Sequence, residues 1–103
     1  MSSKNRQRGK SLERWIAKDL NGERIGILGK EDVVIHHGCF SLEVKERKTL
    51  PVFIWKSMAQ AQRNAAKRGY RPGVVLHELG KEHEQDIVLC RYKDFKEILE
   101  KQQ

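Results

Sequence analysis

Residues 32–45 read Asp-Val-Val-Ile-His-His-Gly-Cys-Phe-Ser-Leu-Glu-Val-Lys, and the reading of this stretch decides the fold. Two runs of β-branched and aromatic residues, Asp32–His36 and Phe40–Lys45, flank His37-Gly38, a pair suited to a two-residue hairpin turn because glycine tolerates positive φ. With His37 and Gly38 as the turn, His36 lies opposite Cys39, Ile35 opposite Phe40, Val34 opposite Ser41, Val33 opposite Leu42 and Asp32 opposite Glu43. Strand alternation sorts the faces: Val33, Ile35, Phe40, Leu42 and Val44 build the core, and Asp32, Ser41, Glu43 and Lys45 point away from it.

That arrangement sets two carboxylates about 4.5–5.5 Å apart at Cβ, with a lysine two residues along on the same face. Opposed like charges destabilise a hairpin unless something compensates them. A divalent cation does so, and hard oxygen ligands suit Mg²⁺, with Mn²⁺ as a substitute. Two acids and a lysine are the groups that metal-assisted phosphodiester hydrolysis uses: the metal holds a phosphate oxygen and activates a water, and the lysine orients that water or offsets developing charge. The competing reading is that Asp32 is a turn residue and that Glu43 and Lys45 form an ordinary exposed pair.

Working outward, residues 1–10 are polar and basic after Met1 and read as a flexible arm carrying Lys4, Arg6, Arg8 and Lys10. The rest, 11–103, reads as a single domain. Ser11 is placed to cap a helix over about 11–20, with Leu12, Trp15, Ile16 and Leu20 at helical spacing and Asn21-Gly22 as its stop. Ile25 and Ile27 suggest a short strand. Pro51 introduces a long helix from Val52 to about Lys67, ending at Arg68-Gly69, whose apolar stripe is Ile54, Met58, Ala61 and Ala65. Gly73–Glu78 and Asp86–Arg91 are two more strands, and Asp94 is placed to cap a last helix from Phe95 to about Lys101. The class is mixed α/β.

The composition limits function. One hundred and three residues make a single small domain, and a chain with 38% hydrophobic and 34% charged residues has no stretch near the ~20 apolar residues of a membrane span. No secretory leader is expected at this N-terminus. Two cysteines are too few for a disulfide scaffold. Lys and Arg total 21 against 14 acids, a net charge of +7, which suits a polyanionic partner such as nucleic acid. No phosphate-binding Gly-x-x-x-x-Gly-Lys-Ser/Thr loop is present, so a nucleotide cofactor is not expected. His36, His37, Cys39, His77, His83 and Cys90 show neither Cys-x-x-Cys nor His-x-x-x-His spacing, and zinc is not expected from them. Cys90 is expected to be buried.

Asp32 with Glu43-Val44-Lys45, preceded by a helix carrying Glu13, resembles the signature of the PD-(D/E)XK nucleases. The likeness is nearest to the small archaeal-type Holliday junction resolvases and their short phage-encoded relatives, and runs from about residue 8 to 91. It implies a restriction-endonuclease-like mixed β-sheet flanked by α-helices. It implies Glu13, Asp32, Glu43 and Lys45 as catalytic residues, and Mg²⁺ held by Asp32, Glu43, the Val44 carbonyl and Glu13. Glu31 stands where the family's name has proline, and Leu28-Gly29-Lys30 offers no counterpart to a serine often found near the Asp in resolvases. Gln60, rather than Gln62, would sit near the metal or the DNA.

The expected function is that of a Mg²⁺-dependent, structure-selective DNA endonuclease resolving four-way junctions in recombination and repair. Paired incisions call for a homodimer. Arg6, Arg8, Lys10, Lys30, Arg47 and Lys48, with Gln60, would contact DNA by position rather than by base sequence. The setting would be cytoplasmic, with a phage as one source. Two alternatives stay open: a general or nicking endonuclease of the same superfamily, and a non-catalytic basic DNA-binding protein.

Overall fold

The computed structural model describes residues 3–25 and 33–101, the backbone alone for 3–10. The elements run α1 (Ser3–Asp19), β1 (Glu23–Arg24), β2 (Val33–Ile35), β3 (Phe40–Leu42), α2 (Val52–Ala66), β4 (Gly73–Leu76), β5 (Ile87–Cys90) and α3 (Tyr92–Glu100), with 3₁₀ turns at His36–Gly38 and His83–Gln85. The class is mixed α/β. All described strand pairings are antiparallel, in a β1-β2-β3 sheet and a β4-β5 pair. A mixed sheet gathering all five strands is not among them. No described helix is long and apolar enough to cross a membrane. The chain forms two compact units, residues 1–48 with 98–103, and 49–97.

In the first unit α1 begins at Ser3, not at Ser11, so its first turns occupy residues expected to form a flexible arm. No proline interrupts 3–10, and Lys, Arg and Gln are good helix formers, so Gly9 is the strongest opponent of the extension. The helix ends in a Schellman arrangement: Gly22 N–H donates to the Ala17 carbonyl at 2.7 Å and Asn21 N–H to that of Lys18 at 3.3 Å. Asn21 takes the left-handed conformation there, with φ of 54°. Ala17 and Leu20 are buried, whereas Trp15, expected inside, is exposed. Small Ala17, one residue past Ile16, fills the inward position instead.

The hairpin has the expected register, Val33↔Leu42, Val34↔Ser41 and Ile35↔Phe40. Its turn is different. The chain makes a 3₁₀ turn over His36–Gly38 and returns through Cys39 in the left-handed region, φ 55° and ψ 41°, with Cys39 N–H bonded to the His36 carbonyl. The left-handed residue is Cys39 rather than Gly38. Gly38 is required for another reason: a Cβ there would lie 2.5 Å from Leu99 Cδ2. Val33 and Ile35 are fully buried, and Leu99 nearly so. Phe40, at the strand's exposed start, is 45% accessible rather than in the core.

In the second unit Pro51, at φ −52° and ψ 138°, stands at the N-cap of α2, and the chain leaves the helix through Gly69 at φ +69°. The expected stripe holds: Met58 is buried, Ile54, Ala61 and Ala65 are half-buried, and the flanking positions other than Ser57 are exposed. β4 and β5 pair from Gly73↔Cys90 to Leu76↔Ile87. Cys90, expected inside, is exposed because its cross-strand partner is a glycine with no side chain to cover it. The last helix starts at Tyr92, three residues before the expected Phe95, so Asp94 lies in its first turn instead of capping it. The Asp94 carboxylate there faces the positive end of the helix dipole.

Gly22 is the position where the first unit is most sensitive to a single methyl group. A Cβ on it would meet the Val34 carbonyl oxygen at 2.7 Å and the side chains of Ile35 and Val33 at 3.3 Å. Gly22→Ala is expected to cost about 1–3 kcal/mol, the usual range for overpacking. In a thermal melt that is a drop of roughly 4–8 °C per kcal/mol for a domain of this size. An unchanged midpoint would show that α1 and β2 do not meet as described.

Candidate functional site

The hairpin parity carries past the end of β3. Leu42 and Val44 are half-buried, and Ser41, Glu43 and Lys45 are exposed. Glu43 and Lys45 therefore project on the side away from the core, as their spacing requires. Ladder pairing is described only as far as Leu42, since Val33 is the first described residue of β2. Asp32 and Lys30 lie outside the described residues, as do Glu31 and the Leu28-Gly29 pair.

Lys45 Nζ is 3.9 Å from Glu43 Oε2, with the two side chains 70% and 56% accessible. A solvated pair at that separation holds neither partner in place. Glu43 thus presents an accessible carboxylate, free to take a cation or a phosphate-bound metal without first losing a buried partner.

Glu13 is held differently. It projects from α1, and Arg24 Nε of β1 donates to its Oε2 at 2.9 Å. Their side chains are only 19% and 30% accessible, so this charge-assisted bond is partly shielded from water. Arg24 pairs with Val33 in the ladder. The bond therefore ties the helix to the strand that leads the buried core of the sheet. It also occupies one oxygen of a carboxylate expected to face a metal. The sequence reading missed Arg24, since only the tertiary fold brings it to Glu13.

Among the expected DNA contacts, Arg47 and Lys48 are exposed in the irregular segment after Lys45. Arg6, Arg8 and Lys10 lie on α1. Gln60 and Gln62 are both exposed on α2, in the second unit. Gln60 lines a shallow groove with Ser57, Asn64, Arg68 and Arg71, while Gln62 faces another with Tyr70, Lys93 and Glu97. Arg71 lines both grooves, and Arg68 only that of Gln60.

Elsewhere in the second unit Arg71 donates to Glu97 Oε2 at 3.0 Å through Nη2 and stands 4.0 Å from Asp94 Oδ1. Asp94 is buried, and its Oδ2 has no hydrogen-bond partner among the described residues. Desolvation pushes the Cys90 thiol up from its ordinary pKa, and the charge of Asp94 adds to the effect. Cys90 is therefore a protonated thiol at neutral pH and a poor nucleophile. The β4–β5 hairpin and its loop gather His77 and His83, whose spacing gave no expectation of zinc, with Asp86, which the sequence did not single out.

No protein-family model, no curated protein and no solved structure matches the chain.

The two acidic residues differ in how they are tied down, and double-mutant cycles measure the difference. Glu13→Gln with Arg24→Gln is expected to give a coupling of about 1 kcal/mol, below the roughly 1.5–3 kcal/mol of fully shielded charge-assisted bonds because both groups keep some solvent. Glu43→Gln with Lys45→Gln is expected to give about 0–0.5 kcal/mol. Urea unfolding of the four single and two double variants makes the comparison, and the reverse order would contradict the geometry.

Proposed function

We propose that this protein is a metal-dependent DNA endonuclease of the PD-(D/E)XK type acting on branched DNA, with a restriction-endonuclease-like core. The observation that carries the reading is the parity of the hairpin. Leu42 and Val44 turn inward while Glu43 and Lys45 stand together on the accessible side, one carboxylate and one ammonium in the spacing the chemistry needs. The β2–β3 register is the one on which the sequence argument places Asp32 opposite Glu43. A net charge of +7 supplies the general attraction to a phosphate backbone.

The donor set suits Mg²⁺ or Mn²⁺. Glu43 is an accessible hard-oxygen ligand, and Asp32 and the Val44 carbonyl are the further oxygens the reading assigns. Glu13, with one oxygen on Arg24, acts through its other oxygen or through water. When bound, the cation lowers the pKa of water and offsets charge on the phosphate. Lys45 orients the attacking water and faces the developing negative charge. Arg47 and Lys48, exposed beyond it, hold the backbone of the duplex. Resolution of a four-way junction needs two cuts, so the working form is a homodimer with one site in each copy.

Glu43→Gln and Lys45→Ala test this reading because both positions are exposed and their loss leaves the fold alone, within about 0.5 kcal/mol. Each is expected to reduce Mg²⁺-dependent cleavage of a labelled four-way junction by more than the roughly 10–100-fold that losing an outer-shell partner costs. Junction affinity in a gel-shift assay is expected to change only a few-fold. Full cleavage by both variants would remove these residues from the chemistry, and tight binding without cleavage by the parent protein would make it a DNA-binding protein.

A further inference from the structure

The β4–β5 ladder ends at Leu76↔Ile87, and His77 and Asp86 are the next residue on each strand. These two residues stand at the mouth of the hairpin, opposite each other, and His77 Nδ1 lies 2.6 Å from Asp86 Oδ1. The loop between them folds back on itself. Lys81 N–H bonds the Glu78 carbonyl, Gly80 takes φ of +89°, and the 3₁₀ turn at His83–Gln85 returns the chain to β5. The fold-back lays the His83 ring on that of His77, with centroids 4.4 Å apart and planes 29° from parallel. His83 Nδ1 then lies 3.3 Å from Asp86 Oδ2. Each of the three residues offers one ligand atom, and all three atoms lie within 4.8 Å of one another.

We propose that this loop binds a transition-metal ion, Zn²⁺ being the one its donors suit, through His77, His83 and Asp86. Two imidazole nitrogens and one carboxylate oxygen are a borderline-soft set, unlike the all-oxygen set assigned to Mg²⁺ in the nuclease reading. Ligand atoms of a tetrahedral zinc site are about 3.3 Å apart for bonds near 2.05 Å. The widest separation, up to 4.8 Å, therefore has to close by about 1.5 Å. His83 can make that adjustment: its side chain is 85% accessible, whereas Asp86 is only 16% accessible and supplies the fixed point. Three protein ligands leave the fourth position to water, which reaches the site along an open cleft lined by Leu76, Lys81, Gln85 and Ile87.

Physically, the ion clips the eight-residue loop 78–85 to the end of the hairpin. It replaces hydrogen bonds between side chains by coordination present only in the folded chain, so it raises stability by linkage. The residues involved belong to the second unit, and none of Glu13, Glu43 or Lys45 takes part.

The full chain without an affinity tag, stripped by a chelator and titrated with ZnCl₂ in a calorimeter, tests the proposal, with Co²⁺ as the spectroscopic probe of coordination. One Zn²⁺ per chain is expected, with a higher melting temperature in its presence and tetrahedral visible bands with Co²⁺. His83→Ala, at an exposed loop position, is expected to weaken binding about tenfold or more without altering the metal-free melt. Asp86→Asn is expected to weaken binding as well, with some loss of metal-free stability because Asp86 also pairs with both histidines. Cys39→Ser and a large excess of Mg²⁺ are expected to leave binding unchanged. Absence of binding would overturn the proposal. So would binding that survives His83→Ala, fails with Cys39→Ser, or yields to Mg²⁺.

Discussion

Burial of Val33 and Ile35 is the constraint on which the first unit depends. Both are completely inaccessible and sit two residues apart on a three-residue strand. A slip of one residue in either pairing would turn both valine and isoleucine into water and bring Val34 inward, so the register is strongly fixed. Several features follow. Gly22 must lack a side chain because β2 approaches it closely, and Gly38 because Leu99 covers the hairpin end. Arg24, paired with Val33, is set where it reaches Glu13. The same parity makes Glu43 and Lys45 solvent-facing neighbours.

The second unit relies on a different balance. Its apolar interior is narrow, with Met58 on α2 and Pro72 ahead of β4 the buried residues that complement the half-buried Val74, Leu76 and Leu89. Polar contacts take a correspondingly larger share. Arg71 connects to Glu97 and approaches the buried Asp94, and Arg91 lies over Trp55 at 5.9 Å from the ring centroid. At the other end of the β4–β5 pair, Asp86 gathers two histidines. An apolar substitution at Asp86 would leave both rings without their common acceptor.

Much of this was legible in the sequence wherever one local period governed. The hairpin register came from alternation on both sides of a short turn, and the α2 stripe from spacing between a proline and a glycine. Reading failed where the deciding partner is distant or where two local answers compete. Trp15 and Ala17 flank the Ile16–Leu20 line of α1 on opposite sides, and the helix is turned so that the Ala17 side is the one buried. Cys90 looked apolar enough for a core, but its cross-strand neighbour is Gly73. Gly38 looked like the left-handed turn residue, yet Cys39 takes that conformation. At the site, Glu43 and Lys45 were legible as a pair because strand parity decides their side. The hold of Arg24 on Glu13, and the return of His83 onto His77, depend on chain reversals that no spacing encodes.

Hairpin parity and charge together support the proposed phosphodiester chemistry at Glu43 and Lys45, with the proposed coordination at the β4–β5 hairpin a separate property. Cleavage of an end-labelled four-way junction by the parent protein, beside linear duplex and single strand, tests this most directly, each with Mg²⁺ and with EDTA. The account predicts paired nicks confined to the junction, present with Mg²⁺ and absent with EDTA. Cutting that persists in EDTA, or no cutting of any substrate despite tight binding, would contradict it.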